Sequence, residues 1–264
     1  MYIRTTCRIG DICQVGKYYP GNFGAPGLGR SRKRRRTPEE MDRNNQRNRA
    51  RKLQRIILAN FRNGRTVHLT YRKEERPETF EEAMDQRRKF LARMRAVCKK
   101  AGVQWKWIIV TERGKKGQAL HHHLIIEDMT APLDILRTVG ELWKFGKVSS
   151  TKMEEEEDLF EVLAEYLLKK DTKAGLSGKS YSHSRNLIIP EEKKEKVRAK
   201  RWTREPRAPK GWYVVKESVW NAQTPEGWPV QRYTLRKLEN VDKYQTAAST
   251  RKFVCGGHFG GLKS

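Results

Sequence analysis

Acid is what this chain is short of. Its 31 Asp and Glu stand against 57 Lys and Arg, a net charge of +26, and that imbalance points to a polyanion as partner, nucleic acid first. Long apolar runs are missing too. No stretch approaches the ~18 residues of a spanning helix, which leaves an anionic membrane surface as the weaker candidate and predicts no membrane partner. The first twenty residues lack the apolar core of a secretory signal, so a cytoplasmic chain is expected. Cysteines number four, too few and too scattered for a disulfide framework. Cys98 falls on an apolar helix face. Cys7, Cys13, Cys255 and His258 lack compact zinc-finger spacing, and a zinc site joining the termini is the lesser reading of them.

What remains is organised in four stretches. Residues 1–36 carry Gly, Pro and the basic run from Arg30 to Arg36, and read as a mobile basic arm. Residues 37–62 read as a helix: Thr37 is an N-cap, Pro38 takes the first helical position and Glu40 completes a capping box. Residues 63–190 read as one domain. Thr66 to Tyr71 is a strand; Thr79 and Glu82 cap a helix whose stripe is Phe80, Met84, Arg87, Leu91, Met94 and Cys98. Strands follow at 105–113 and 120–127, a helix at 132–145, a short strand at 147–152 and a helix at 154–170. Residues 191–264 read as a basic connector, a hairpin and a flexible Gly-rich tail. The hairpin's Trp212, Tyr213, Trp220 and Tyr233 either cover a sheet or stack bases; covering is the commoner use.

The order β-α-β-β-α-β is the split βαβ pattern of ferredoxin-like folds, shared with RRM domains. It predicts an α+β fold with a central antiparallel sheet in which the first and third strands are neighbours. That third strand holds the histidine triplet His121, His122 and His123. Strand side chains alternate between faces, so His121 and His123 share one face while Leu120, His122 and Leu124 share the other. Two imidazoles on a rigid element can hold a divalent cation if a third ligand lies across the ladder. A two-residue turn at Lys116-Gly117 sets Glu112 opposite His121 and Val110 opposite His123, which supplies that ligand. The plainer alternative is a half-buried strand that tolerates histidine.

On the last helix of this domain Tyr166 is followed at i+3 by Lys169 and at i+4 by Lys170, so an ammonium can lie on the face of the phenol. Taken alone, such a tyrosine is more often core. Beside a metal cluster it makes chemical sense: an ionised phenol attacks phosphorus, lysine stabilises the phenolate, and a divalent ion offsets charge on the phosphate.

These motifs resemble those of HUH-superfamily rolling-circle replication initiators, in particular the single-tyrosine Rep endonucleases of small bacterial plasmids and phages. Val67-His68-Leu69-Thr70-Tyr71 is similar to the first-strand motif, His121-His122-His123 to His-U-His with His122 in the usually hydrophobic slot, and Tyr166-Leu167-Leu168-Lys169 to Tyr-x-x-Lys. The resemblance covers roughly residues 35–190. It implies metal-dependent nicking and rejoining of single-stranded DNA at a replication origin, through a covalent 5′-phosphotyrosine on Tyr166 with Lys169 beside it. It also implies Mg²⁺ or Mn²⁺ on Glu112, His121 and His123. No GxxxxGK[ST] run occurs, so a host helicase, together with a polymerase, is the expected partner. Arg34, Arg35, Lys115, Lys116, Lys170 and Arg185 are the expected DNA contacts. A non-catalytic RRM-like module is the main alternative, disfavoured because the third strand carries histidines where RRMs carry aromatics. A relaxase or transposase would share the same chemistry.

Overall fold

The computed structural model describes residues 1–21, 24–27, 37–114, 119–154, 160–169, 181–224 and 227–238. In chain order the elements are β1 (Tyr2–Ile9), β2 (Ile12–Tyr18), α1 (Pro38–Asn60), β3 (Gly64–Leu69), α2 (Phe80–Lys100), β4 (Trp107–Arg113), β5 (Leu120–Glu127), α3 (Ile135–Leu142), β6 (Val148–Lys152), α4 (Glu161–Leu167), β7 (Ser182–His183), β8 (Lys193–Val197), β9 (Trp212–Gln223) and β10 (Pro229–Lys237). They divide into two compact units, Arg35–Pro190 and the pair of segments Met1–Arg34 and Glu191–Ser264. The fold is α+β in both sequence pattern and structure.

The middle unit starts where its caps direct. Thr37 accepts from the Glu40 N–H at 3.2 Å while the Glu40 carboxylate accepts from the Thr37 N–H at 3.1 Å, and α1 runs from there with Leu53, Ile56 and Ile57 on its buried face. Thr79 likewise accepts from the Glu82 N–H at 3.1 Å and opens α2. The sheet order is β6-β3-β5-β4-β7, all pairs antiparallel. Its first four strands are the split βαβ arrangement, with β3 and β5 as central neighbours. The short edge strand β7 is an addition that the alternation of the sequence does not show.

One face of this sheet packs on α2 and α3. Val67, Leu69, Ile109, Leu124 and Ile126 meet Phe90, Met94, Val139 and Trp143 there, each fully buried large side chain being worth about 1.5–3 kcal/mol. Cys98 lies in the same cluster. α3 is shorter than its apolar pattern predicts, because Asp134 caps it by accepting from the Arg137 N–H at 2.9 Å. Trp143 is released from the helix and donates its indole N–H to the Thr70 carbonyl at 2.9 Å. The Thr70 and Arg72 N–H groups in turn donate to the Lys147 and Phe145 carbonyls at 3.0 and 2.9 Å.

The other unit corrects the reading of both chain ends. Residues 2–18 are not a free arm, and residues 191–210 are more than a connector. β1, β2 and β8 join the expected β9-β10 hairpin in a five-stranded antiparallel sheet of order β8-β1-β2-β10-β9. The β1-β2 turn closes through Gly10 at φ 59°, a conformation glycine adopts without strain. Gln231 is fully buried; it accepts from the Lys17 ammonium at 3.0 Å and donates to the Thr203 and Arg204 carbonyls at 2.9 and 2.8 Å, so the segment after β8 is bonded to its own sheet. Of the hairpin aromatics, Tyr233 is buried with Val15 and Leu235, and Trp212 packs on the same cluster. Trp220 is 46% exposed, with the Arg232 guanidinium 5.2 Å from its ring centroid. Cys7 pairs with Gln14 and Cys13 with Arg8, which places the two thiols on opposite faces and rules out a shared metal; Cys255 and His258 lie outside the described residues. No helix among the described residues is long and apolar enough to cross a membrane.

Candidate metal centre and tyrosine

The β4-β5 register is the one the turn arithmetic gives: Glu112 lies opposite His121 and Val110 opposite His123. Directly opposed residues share a face, so the carboxylate joins the two imidazoles. His121 Nε2 is 3.1 Å from Glu112 Oε1 and 3.2 Å from His123 Nε2, and His123 Nε2 is in close contact with the same carboxylate oxygen. One donor atom from each of the three lies within 4.8 Å of the others. Donors about 3 Å apart are what bonds of ~2.1 Å to a common ion require. Glu112 and His123 are 2% and 3% exposed, and a carboxylate so buried needs positive charge beside it. The donor set of one carboxylate and two imidazoles fits a divalent cation.

The middle histidine faces the other way and is occupied. His122 is fully buried; its Nε2 is 2.7 Å from the Tyr71 hydroxyl and its Nδ1 is 2.8 Å from the Thr111 hydroxyl. Thr111 accepts from the Arg87 guanidinium at 3.0 Å, and Arg87 also donates to Ser182 at 3.3 Å. Burial, then the neighbouring Arg87, holds His122 well below the ordinary imidazole range. Burial also pushes the Tyr71 phenol up. This chain of bonds explains how a polar residue occupies an inward slot, and why Arg87 sits in the apolar stripe of α2.

α4 brings the tyrosine to the same face. The Tyr166 ring stands edge-on to His123, 5.7 Å between centroids at 90°, and is 39% exposed. Lys169 Nζ lies 5.2 Å from the Tyr166 ring centroid. Desolvation, then the Glu112 charge, raises the Tyr166 phenol above its ordinary pKa, so ionising it calls for added positive charge. Arg185 is exposed just after β7. Arg34, Arg35, Lys115, Lys116 and Lys170 lie outside the described residues.

One comparison with known proteins bears on this geometry. Residues 65–171 match the family model of the replication-associated protein ORF2. That segment holds Glu112, His121, His123, Tyr166 and Lys169, and it supports a replication-initiator family for the middle unit and DNA as its partner. No curated protein and no solved structure matches the chain.

Four residues around the centre escaped the motif search: His68, Tyr71, Arg87 and Thr111. His68 had a signal. It lies opposite His123 in the β3-β5 ladder, and alternation along Thr66 to Tyr71 puts it on the histidine face once those strands are neighbours. Its ring meets that of His123 edge-on, 4.3 Å between centroids, and burial, then His123 and His121, lowers its pKa.

Proposed function

We propose that this protein is a metal-dependent endonuclease that nicks and rejoins single-stranded DNA at a replication origin, initiating rolling-circle replication through a covalent 5′-phosphotyrosine. The observation that carries the reading is Tyr166, half-exposed and edge-on to His123 beside the Glu112-His121-His123 group, inside the segment matched by the replication-associated family. Glu112, His121 and His123 would hold Mg²⁺ or Mn²⁺, which polarises the scissile phosphate and offsets developing charge. The Tyr166 oxygen attacks phosphorus and the bond from phosphorus to the 3′ oxygen breaks; the phenol proton passes to water and the 3′ oxygen takes one from solvent. Lys169 stabilises the phenolate by its charge over the ring. The 3′ hydroxyl primes a host polymerase, the phosphotyrosine keeps the bond energy for rejoining, and a host helicase opens the duplex. Arg185 and the other expected basic contacts hold the strand by its phosphates.

The test is covalent capture. Incubation with Mn²⁺ and oligonucleotides tiling the single strand of the DNA molecule that carries the gene is expected to give a slower, protease-sensitive band. Tyr166→Phe is expected to lose the band and keep DNA binding. An adduct that persists in this variant moves the nucleophile elsewhere, Tyr181 being the next tyrosine in the chain.

A further inference from the structure

His68 has no task in that scheme, yet it stands on the metal face. It is half-buried, and neither ring nitrogen has a hydrogen-bond partner among the described residues. His122, one strand away, has both of its nitrogens bonded. A half-buried imidazole left without partners loses solvation and gains nothing in return, unless a ligand supplies the missing bond.

The position of the ring says which ligand. His68 is cross-strand from His123 but stands outside the group of donors within 4.8 Å of one another, so it is not placed to coordinate with them. A phosphodiester that gives one non-bridging oxygen to an ion at that group directs its other non-bridging oxygen outward. A neighbouring imidazole too distant to be a ligand can reach that second oxygen. The face is otherwise closed in this direction: Val110 fills the opposite side of His123, so His68 is the polar neighbour that the ladder offers.

We propose that His68 is a substrate-binding residue whose ring N–H donates a hydrogen bond to a non-bridging oxygen of the scissile phosphodiester. The inference rests on the nicking reading above. No proton changes hands in this contact; the bond strengthens as charge gathers on the phosphate oxygens during attack by Tyr166. The competing explanation is packing, in which the ring only fills space beside His123.

Three variants of the full chain separate these. His68→Phe keeps a ring without the N–H, His68→Ala removes both, and His68→Gln restores an N–H without the ring. Mn²⁺ affinity, measured by titration without DNA, is expected to be unchanged in all three. Single-turnover adduct formation is expected to slow on the order of 100-fold in the Phe and Ala variants, as when one donor to developing charge is lost, and to recover in part in the Gln variant. A Phe variant at the wild-type rate overturns the proposal in favour of packing. Loss of Mn²⁺ binding in the Phe and Ala variants to the extent seen in Glu112→Ala overturns it in favour of a fourth ligand. Wild-type protein that forms no adduct sinks the nicking reading, and this contact with it, before any variant is compared.

Discussion

Replacing His122 by leucine would strip the Tyr71 hydroxyl of its partner and leave Thr111 with Arg87 and the weak Met84 sulfur contact. An unsatisfied buried hydroxyl costs about 1–3 kcal/mol. His122→Leu is therefore expected to lower unfolding free energy by about 2 kcal/mol in urea titrations while leaving Mn²⁺ affinity intact, since its ring faces away from Glu112. The sequence marks His122 as dispensable; the geometry limits that to metal binding. Tyr71 adds a pH signature. Its phenol keeps its proton in the folded chain beyond the ordinary value of about 10, while the unfolded chain releases it there. The associated stability is fully present below pH ~10 and falls as pH rises above it. Tyr71→Phe should flatten the decline in melting temperature between pH 9 and 11; an unchanged slope would show that other groups set it.

At the scale of elements, the junction after β3 is the tightest point. A Cβ on Gly146 would stand 2.1 Å from the Thr70 carbonyl oxygen and 2.8 Å from the Arg72 nitrogen, both backbone atoms that cannot swing aside. Gly146→Ala is expected to cost about 2–3 kcal/mol, read by thermal melting, and to loosen the segment that carries Tyr71. Thr37→Ala should cost about 1 kcal/mol through the lost cap of α1. The elements of residues 37–152 were legible because their signals are local: caps four residues long, stripes at helical spacing, a hairpin whose turn sets its register. The Glu112-His121-His123 group was legible for the same reason. β1, β2 and β8 were not, because Arg4 pairs with Glu195 and Gly16 with Arg232, and nothing within either segment announces a partner so distant. The hydrogen bonds of His122 were hidden because they join α2, β3, β4 and β5, which only the folded sheet brings together.

For the whole molecule, charge and topology make separate predictions. The segments Met1–Arg34 and Glu191–Ser264 hold 24 Lys and Arg against 9 Asp and Glu, so 24 − 9 = +15 of the net +26 lies in the unit without the candidate site. Contacts to 6–10 phosphates would weaken DNA binding by about 10³-fold or more between 50 and 200 mM salt, and salt-independent binding would contradict a phosphate-led interface. Deleting residues 1–18 removes β1 and β2, two of the inner strands of the sheet β8-β1-β2-β10-β9. The truncated chain is expected to be cut rapidly by trypsin across 191–238 while the segment from α1 to β7 resists.

The same pairing has a consequence during translation. β2 leaves the ribosome early, but its neighbour β10 is made more than 200 residues later. At 5–20 residues per second the first strands wait on the order of ten seconds or more, holding Ile9 and Ile12, both buried in the finished protein, without their sheet. The middle unit has all of its strands by residue 183 and can condense first. A nascent chain that stalls before β10 would thus carry the full Glu112-His121-His123-Tyr166 set on an incompletely folded protein, and the cell's quality control would meet a reactive centre before it met a finished molecule.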